Sequence, residues 1–312
     1  MQFKKPLFWD YQRASFWSVL LFPLSIIYLA LNWIIKITTI FKTYKKSPIP
    51  VICVGNIYLG GTGKTPLVRE IFNISKSFGK NPAFIKKYHD YLSDEINMLR
   101  DTGKTYITNK RLEGIFLSVS ENHDIAILDD GFQDFSVKPD FSILCFNSKQ
   151  MIGNGQVIPS GPLRERLNAI QRADCIIING DKNLEFEKKL SKIIENKKTL
   201  HIFYSKYIIS NIEKFKNREI TAFAGIGNPT NFFDLLKENN LNIKKTYSFP
   251  DHHNYSEKDF KKIINDNSTK IITTEKDFYR MNEVQKQSCE YVKVDLEIKN
   301  KDKFKEIIKS YL

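Results

Sequence analysis

The sequence predicts an α/β fold: a mostly parallel sheet with helices on both faces, a smaller C-terminal α/β unit, and an apolar N-terminal helix. Three observations carry this prediction. Short apolar runs alternate with amphipathic stretches through most of the 312 residues, the order of right-handed βαβ units. Runs such as Ile125 to Leu128 are apolar at consecutive positions, as parallel strands covered on both faces are. The first such run leads into Gly60-Gly61-Thr62-Gly63-Lys64-Thr65 and then a helical stretch. Strand, glycine loop and helix in that order make the sheet one of the P-loop NTPase type.

The N-terminal segment, residues 1–46, is different in kind. No charge falls between Arg13 and Lys36, a stretch of 22 residues rich in Leu, Ile, Phe and Trp. As a helix it is roughly 33 Å long, enough to cross a hydrocarbon core. Trp17 and Trp33 stand near its ends, as interfacial aromatics do. Pro23, Ser25 and Asn32 interrupt the apolar pattern, so a helix lying in the bilayer is the other reading. A buried core hairpin is the third. Positive residues flank both ends (Lys4, Lys5 and Arg13; Lys36, Lys42, Lys45 and Lys46), so charge does not orient the segment.

Ser47-Pro48-Ile49-Pro50 reads as a linker into a nucleotide-binding domain spanning residues 47–217. Its strands are expected at 51–54, 83–86, 105–108, 125–129, 141–146, 175–179 and 200–204, and its helices at 67–78, 94–101, 111–121, 163–172 and 184–195. A second α/β unit, residues 218–312, alternates strand 220–224, helix 229–239, strand 244–248, helix 256–264, strands 270–274 and 291–296, and a helix from 301. It is expected to close the active-site cleft.

The glycine loop carries the chemistry. Glycines let backbone N–H groups turn inward on phosphate oxygens at a helix N-terminus. Gly60, Gly61, Thr62 and Gly63 cradle the phosphates in this reading, Lys64 reaches the β- and γ-phosphates, and the Thr65 hydroxyl holds Mg²⁺. The strict motif has glycine where this chain has Tyr58. Asp129 and Asp130 end a buried strand, at the carboxyl edge where open α/β sheets bind ligands. They are candidate Mg²⁺ ligands. By themselves Asp129-Asp130-Gly131 also read as a turn.

The formal net charge is +13, with Lys spread along the whole chain rather than gathered in a patch. No zinc-finger or aromatic-glycine RNA-binding pattern accompanies it, so nucleic acid is not an expected partner. Cys53, Cys145, Cys175 and Cys289 stand singly. They read as small buried hydrophobes, not as a disulfide framework or a metal site.

The order of motifs resembles one family, the tetraacyldisaccharide 4'-kinases (lipid A 4'-kinases). The likeness rests on the N-terminal apolar segment, Gly55 to Pro66, Asp94-Glu95, Leu128 to Gln133, Gly161 to Glu165, Arg172 to Asp174, Phe223 to Pro229, Phe249 to Tyr255 and Thr273 to Asp277. It covers nearly the whole chain. The resemblance implies an enzyme that moves the γ-phosphate of ATP, with Mg²⁺, to the 4'-hydroxyl of a tetraacyl glucosamine disaccharide 1-phosphate. It implies work at the inner membrane of a Gram-negative bacterium, and the ATP site puts the body on the cytoplasmic face; no obligate protein partner is expected. It makes Asp94 and His252 a proton-accepting pair, with His253 as the alternative partner, adds Glu95 as a metal contact and puts Tyr88 near the nucleotide. Gln133, Arg111, Arg164 and His253 are candidate substrate contacts. Taken alone, Asp94 and Glu95 also read as acids in the first turn of a helix capped by Ser93, and His252-His253 as a polar turn after Pro250.

The chain departs from the family where R-G-Y-G-R is usual: Ile85-Lys86-Lys87-Tyr88-His89 stands there, and the segment from Tyr88 to Asp94 is short. Asp134 stands where His usually follows Gln133. Two other classes remain open from the residues. One is a membrane-associated P-loop ATPase of the partitioning or metal-insertion kind, which usually has Lys where Leu59 stands. The other is a non-catalytic nucleotide-binding membrane scaffold.

Overall fold

The computed structural model describes residues 5–11, 13–43, 46–88, 93–194, 200–264 and 269–312. The segment about His89, the helix end expected at Glu195, and the flanking charges Lys4 and Lys45 lie outside these residues. In chain order the elements are α1 (Phe16–Thr43), β1 (Val51–Gly55), α2 (Lys64–Ser77), β2 (Pro82–Lys87), α3 (Ser93–Arg100), β3 (Thr105–Thr108), α4 (Arg111–Ser120), β4 (Ile125–Asp129), β5 (Phe141–Asn147), β6 (Cys175–Asn179), α5 (Leu184–Ile193), β7 (His201–Ile209), β8 (Ile220–Ala224), α6 (Pro229–Glu238), β9 (Ile243–Ser248), α7 (Glu257–Ile264), β10 (Lys270–Thr274), α8 (Glu275–Arg280), α9 (Glu283–Gln287), β11 (Glu290–Val292), β12 (Val294–Ile298) and α10 (Lys301–Lys309).

They build two sheets, ordered β12-β7-β6-β5-β1-β4-β2-β3 and β11-β10-β8-β9. The pairings of β1 with β4 and β5, of β2 with β3 and β4, and of β6 with β5 and β7 are parallel. So are those of β8 with β9 and β10, and of β10 with β11. β1, β4 and β6 are buried at every position, which is why the central strands read as unbroken apolar runs. β1 lies between β4 and β5, so the glycine loop leaves the middle of the larger sheet.

The chain forms two compact units. The larger holds the described residues of 5–88, 102–206 and 296–312; the smaller holds 93–101 and the described residues of 207–295. These units do not follow the expected ranges. α3 belongs to the smaller unit because it packs on α8. α10 belongs to the larger because it packs on α2, where Lys301 Nζ lies 2.7 Å from Glu70 Oε1. The strand expected at 291–296 is two strands in two sheets. At the break, the Lys293 amide bonds the Asn211 side chain rather than a neighbouring strand, and its carbonyl accepts from the Ser210 amide. The helix expected at 163–172 is a 3₁₀ turn from Leu167. Leu163 instead bridges to Tyr58 and Val157, and the Arg164 amide donates to the Ile57 carbonyl.

α1 belongs to the larger unit and shows it one polar face. Ser18 and Ser25, seven residues apart and so on one side of the helix, are buried. Ser25 Oγ donates to the Val157 carbonyl (2.8 Å) and accepts from the Ser160 amide (3.1 Å). Asn154 Nδ2 donates to Ser18 Oγ at 2.9 Å. Leu20, Leu24, Ile27, Leu31 and Ile34 are exposed. The stretch Phe16–Thr39 is long and apolar enough to cross a membrane by length and composition.

Candidate active site

In the larger unit, the loop after β1 is pinned from within. Asn56, fully buried, donates from Nδ2 to the carbonyls of Tyr58 (2.6 Å) and Gly60 (3.2 Å) and to Thr62 Oγ1 (3.0 Å). Tyr58, where the strict motif has glycine, fills the core, and its hydroxyl donates to Asp10 at 2.6 Å. Burial, then Asp10, pushes that phenol well above its ordinary range. Gly63 caps α2 at φ +93, a region where a side chain is strained. Pro66 costs α2 no ladder bond, because first-turn amides have no acceptor within the helix. Asn56→Ala should lower stability by about 1–3 kcal/mol, because it strips the donors from three loop oxygens. Chemical denaturation measures this; an unchanged midpoint and slope would show that the loop holds itself.

The second carboxylate site is surrounded by cations. Asp130 sits at φ +54 and receives Arg164 Nη1 on both oxygens at 3.0 Å. Lys64 Nζ lies 3.8 Å from Asp130 Oδ1. Burial alone would raise the Asp130 carboxyl, but Lys64 and then Arg164 offset it and hold it below the usual range. Asp129, 1% exposed, pairs with Lys86, 2% exposed, across the β2–β4 register. Its other oxygen, Oδ1, is buried with no hydrogen-bond partner. An acceptor left bare in that place fits a hard cation, with the buried Thr65 hydroxyl supplying a second oxygen. Among the described residues no group of three or more His, Cys, Asp or Glu gathers as a metal site. A Mg²⁺ held by one or two protein oxygens, phosphates and waters needs none.

The candidate substrate residues of this unit are tied to the same turn. Arg111 is buried and donates to the carbonyls of Asp129 (3.2 Å) and Asp130 (2.8 Å) and to Asp134 Oδ2 (2.8 Å). Asp134 therefore anchors Arg111. Burial would raise its carboxyl, but the Ser136 hydroxyl and Arg111 hold it low. Gln133 Nε2 donates to the Asn56 carbonyl (3.0 Å) and to Glu165 (3.1 Å). Glu165 takes both Nη atoms of Arg172 at 2.9 Å, and Arg172 stacks over Phe132. Tyr88 directly follows β2 and is 53% exposed.

In the smaller unit, Asp94 is buried in the first turn of α3. Its Oδ2 accepts from Arg280 Nε (3.0 Å) and Nη2 (2.7 Å), while Oδ1 is buried without a partner. Glu95, expected at a metal, pairs with Lys276. His252 has φ +55 and a side chain 41% exposed. Its amide donates to the Gly225 carbonyl at 3.1 Å. His253 is anchored instead: Nε2 lies 3.1 Å from Asp259 Oδ2 and the ring stacks on Phe249. The Ser256 hydroxyl and amide, then His253, hold Asp259 near a pKa of about 2.

Sequence reasoning missed Asn56, Lys86, Asp277 and Arg280. Lys86 carried a signal, a charge inside an otherwise apolar buried strand. Arg280 carried only its spacing, three residues after Asp277 on a helix. The four cysteines are free and buried, and burial pushes Cys53, Cys145 and Cys289 up to about 12.

The family model LpxK, tetraacyldisaccharide-1-P 4'-kinase, matches residues 17–89 and 86–312. A tetraacyldisaccharide 4'-kinase of Pelagibacter ubique (strain HTCC1062) is 41% identical over 305 residues, 96% of this chain and 95% of the relative. One from Rickettsia akari (strain Hartford) is 32% identical over 324 residues, 97% of this chain and 96% of the relative. The crystal structure of LpxK from Aquifex aeolicus in complex with ATP shares the fold at a TM-score of 0.74 and 24% identity, covering 94% of this chain and 99% of that one. With matches over nearly its full length, the chain belongs to the tetraacyldisaccharide-1-P 4'-kinase family.

Proposed function

We propose that the chain binds ATP at the loop Gly60–Thr65 and transfers its γ-phosphoryl group to the 4'-hydroxyl of a tetraacyl disaccharide 1-phosphate. The observation that carries this reading is Lys64 at the start of α2, 3.8 Å from Asp130, in a chain of that family. Family membership disfavours both the ATPase and the scaffold reading. The loop amides and Lys64 bind phosphate oxygens, and the positive end of α2 favours their charge. Thr65, Asp129 and Asp130 would hold Mg²⁺, which supplies charge neutralisation at the transferred group when bound. Arg111 keeps the turn of the two aspartates in place, and Arg164 holds Asp130. Gln133 braces the loop through Asn56. Asp94 takes the proton of the acceptor hydroxyl at its bare Oδ1, and His252 orients and tunes it.

The test is direct. Purified protein in mixed micelles with γ-labelled ATP, Mg²⁺ and the disaccharide 1-phosphate lipid should yield a bis-phosphorylated lipid labelled at the 4'-position. ATP hydrolysis without labelled lipid would overturn the assignment.

The exposed face of α1 supports bilayer association, with the body on the cytoplasmic side of the inner membrane where ATP is present. Burying one leucine in hydrocarbon contributes about 1.5–3 kcal/mol. Leu24→Gln should therefore weaken vesicle binding on the order of tenfold or more, with the KM for ATP unchanged. Equal flotation of both proteins with vesicles would remove this face from the membrane contact.

A further inference from the structure

One buried arginine of the smaller unit has no part in the chemistry above. The Arg280 side chain is 8% exposed and every nitrogen of its guanidinium is engaged. Nε and Nη2 donate to Asp94 Oδ2, and Nη1 to the Gly225 carbonyl (2.8 Å) and Asp277 Oδ1 (3.1 Å). Asp277 is fixed in turn by the Thr274 hydroxyl (2.6 Å), the Gly225 amide (3.0 Å) and the Tyr255 hydroxyl (2.9 Å).

The arrangement is unusual for a stabilising pair. A forked guanidinium normally satisfies both carboxylate oxygens side by side. Here both N–H groups fall on one oxygen, and the other is left bare inside the protein. Nη1 is taken by the Gly225 carbonyl and Asp277 Oδ1 instead. The same Gly225 carbonyl accepts the His252 amide, so one planar group reaches both the carboxylate and the backbone that carries the imidazole.

We propose that Arg280 is the positioning residue for the proton acceptor. It holds the Asp94 carboxylate by Oδ2, so that Oδ1 alone is left without a partner for the acceptor hydroxyl to bond, and it fixes the carbonyl on which His252 is mounted. This rests on the reading of Asp94 as that acceptor. Lysine cannot replace it fully, since a single ammonium lacks the rigid fork that spans Asp94, Gly225 and Asp277.

The experiment compares Arg280→Met and Arg280→Lys with Asp94→Asn in the full chain, with circular dichroism to establish that each is folded at the assay temperature. Misplacing a reacting group by about 1 Å costs about 10²-fold. Folded Arg280→Met should lose about that much kcat, with the KM for ATP within about twofold, and Arg280→Lys should recover part of the loss. A double variant Asp94→Asn/Arg280→Met should be no slower than Asp94→Asn. A purely structural role predicts a lowered melting temperature with full kcat in the folded variant, and that result overturns the proposal. Should Arg280→Met not fold, wild-type kcat in folded Arg280→Lys overturns it. If Asp94→Asn itself turns over normally, the acceptor reading has failed and this proposal with it. Asp94→Asn inactive beside a fully active Arg280→Met would sink the Arg280 proposal alone.

Discussion

Lys64→Ala should lower turnover by about 10²–10³-fold, the usual loss when a positioned charge is removed from a transition state. Lys64 is the one cation whose place follows from the loop itself: it begins α2, directly after the glycine that caps the helix. In the structure it lies 3.8 Å from Asp130, a loose pairing that a phosphate can displace. Arg164 is closer to Asp130, so Asp130 keeps a cation partner when Lys64 is lost. The fold should therefore survive, and thermal melting of Lys64→Ala should match the parent. Steady-state kinetics with the lipid acceptor, together with nucleotide binding by calorimetry, test both halves. Near-normal kcat with normal ATP affinity would mean that this loop is not the phosphate site.

The larger sheet is readable because burial on both faces leaves a parallel strand almost wholly apolar, so β1, β4 and β6 stand out as apolar runs. Sites that depend on pairing across the sequence were not. Lys86 and Asp129 are neighbours only because β2 lies beside β4. Asp94 and Arg280 are 186 residues apart, and no local pattern joins them. Residues 163–166 contain good helix formers and are expected to open a helix, yet the Arg164 amide bonds the Ile57 carbonyl instead, a tertiary effect that outweighs propensity. α8 and α9 were missed because they are too short to show a helical period. Ser25 interrupts the apolar pattern of its helix, and with Ser18 it is one of the points where that helix is fastened to the body.

Asp94→Asn should be the most damaging conservative change in the chain, with kcat down by as much as about 10⁴-fold and at least about 10²-fold, the range of general-base assistance. The amide keeps the shape of the carboxylate and its oxygen still accepts from Arg280, whose charge Asp277 continues to balance, so the variant should fold with some loss of stability while the basic oxygen is gone. His252 is better tested with Asn than with Ala, because its φ of +55 is a conformation that asparagine tolerates and most residues do not. His252→Asn should slow turnover strongly with ATP binding intact. If the two residues act as one device, the double variant is little slower than Asp94→Asn alone. His253, held by Asp259 and Phe249, should behave differently: His253→Ala should lower the melting temperature more than it lowers kcat. Additive losses in the double variant would separate Asp94 from His252, and a silent His252→Asn beside an inactive, folded His253→Ala would move the partner role to the neighbouring imidazole.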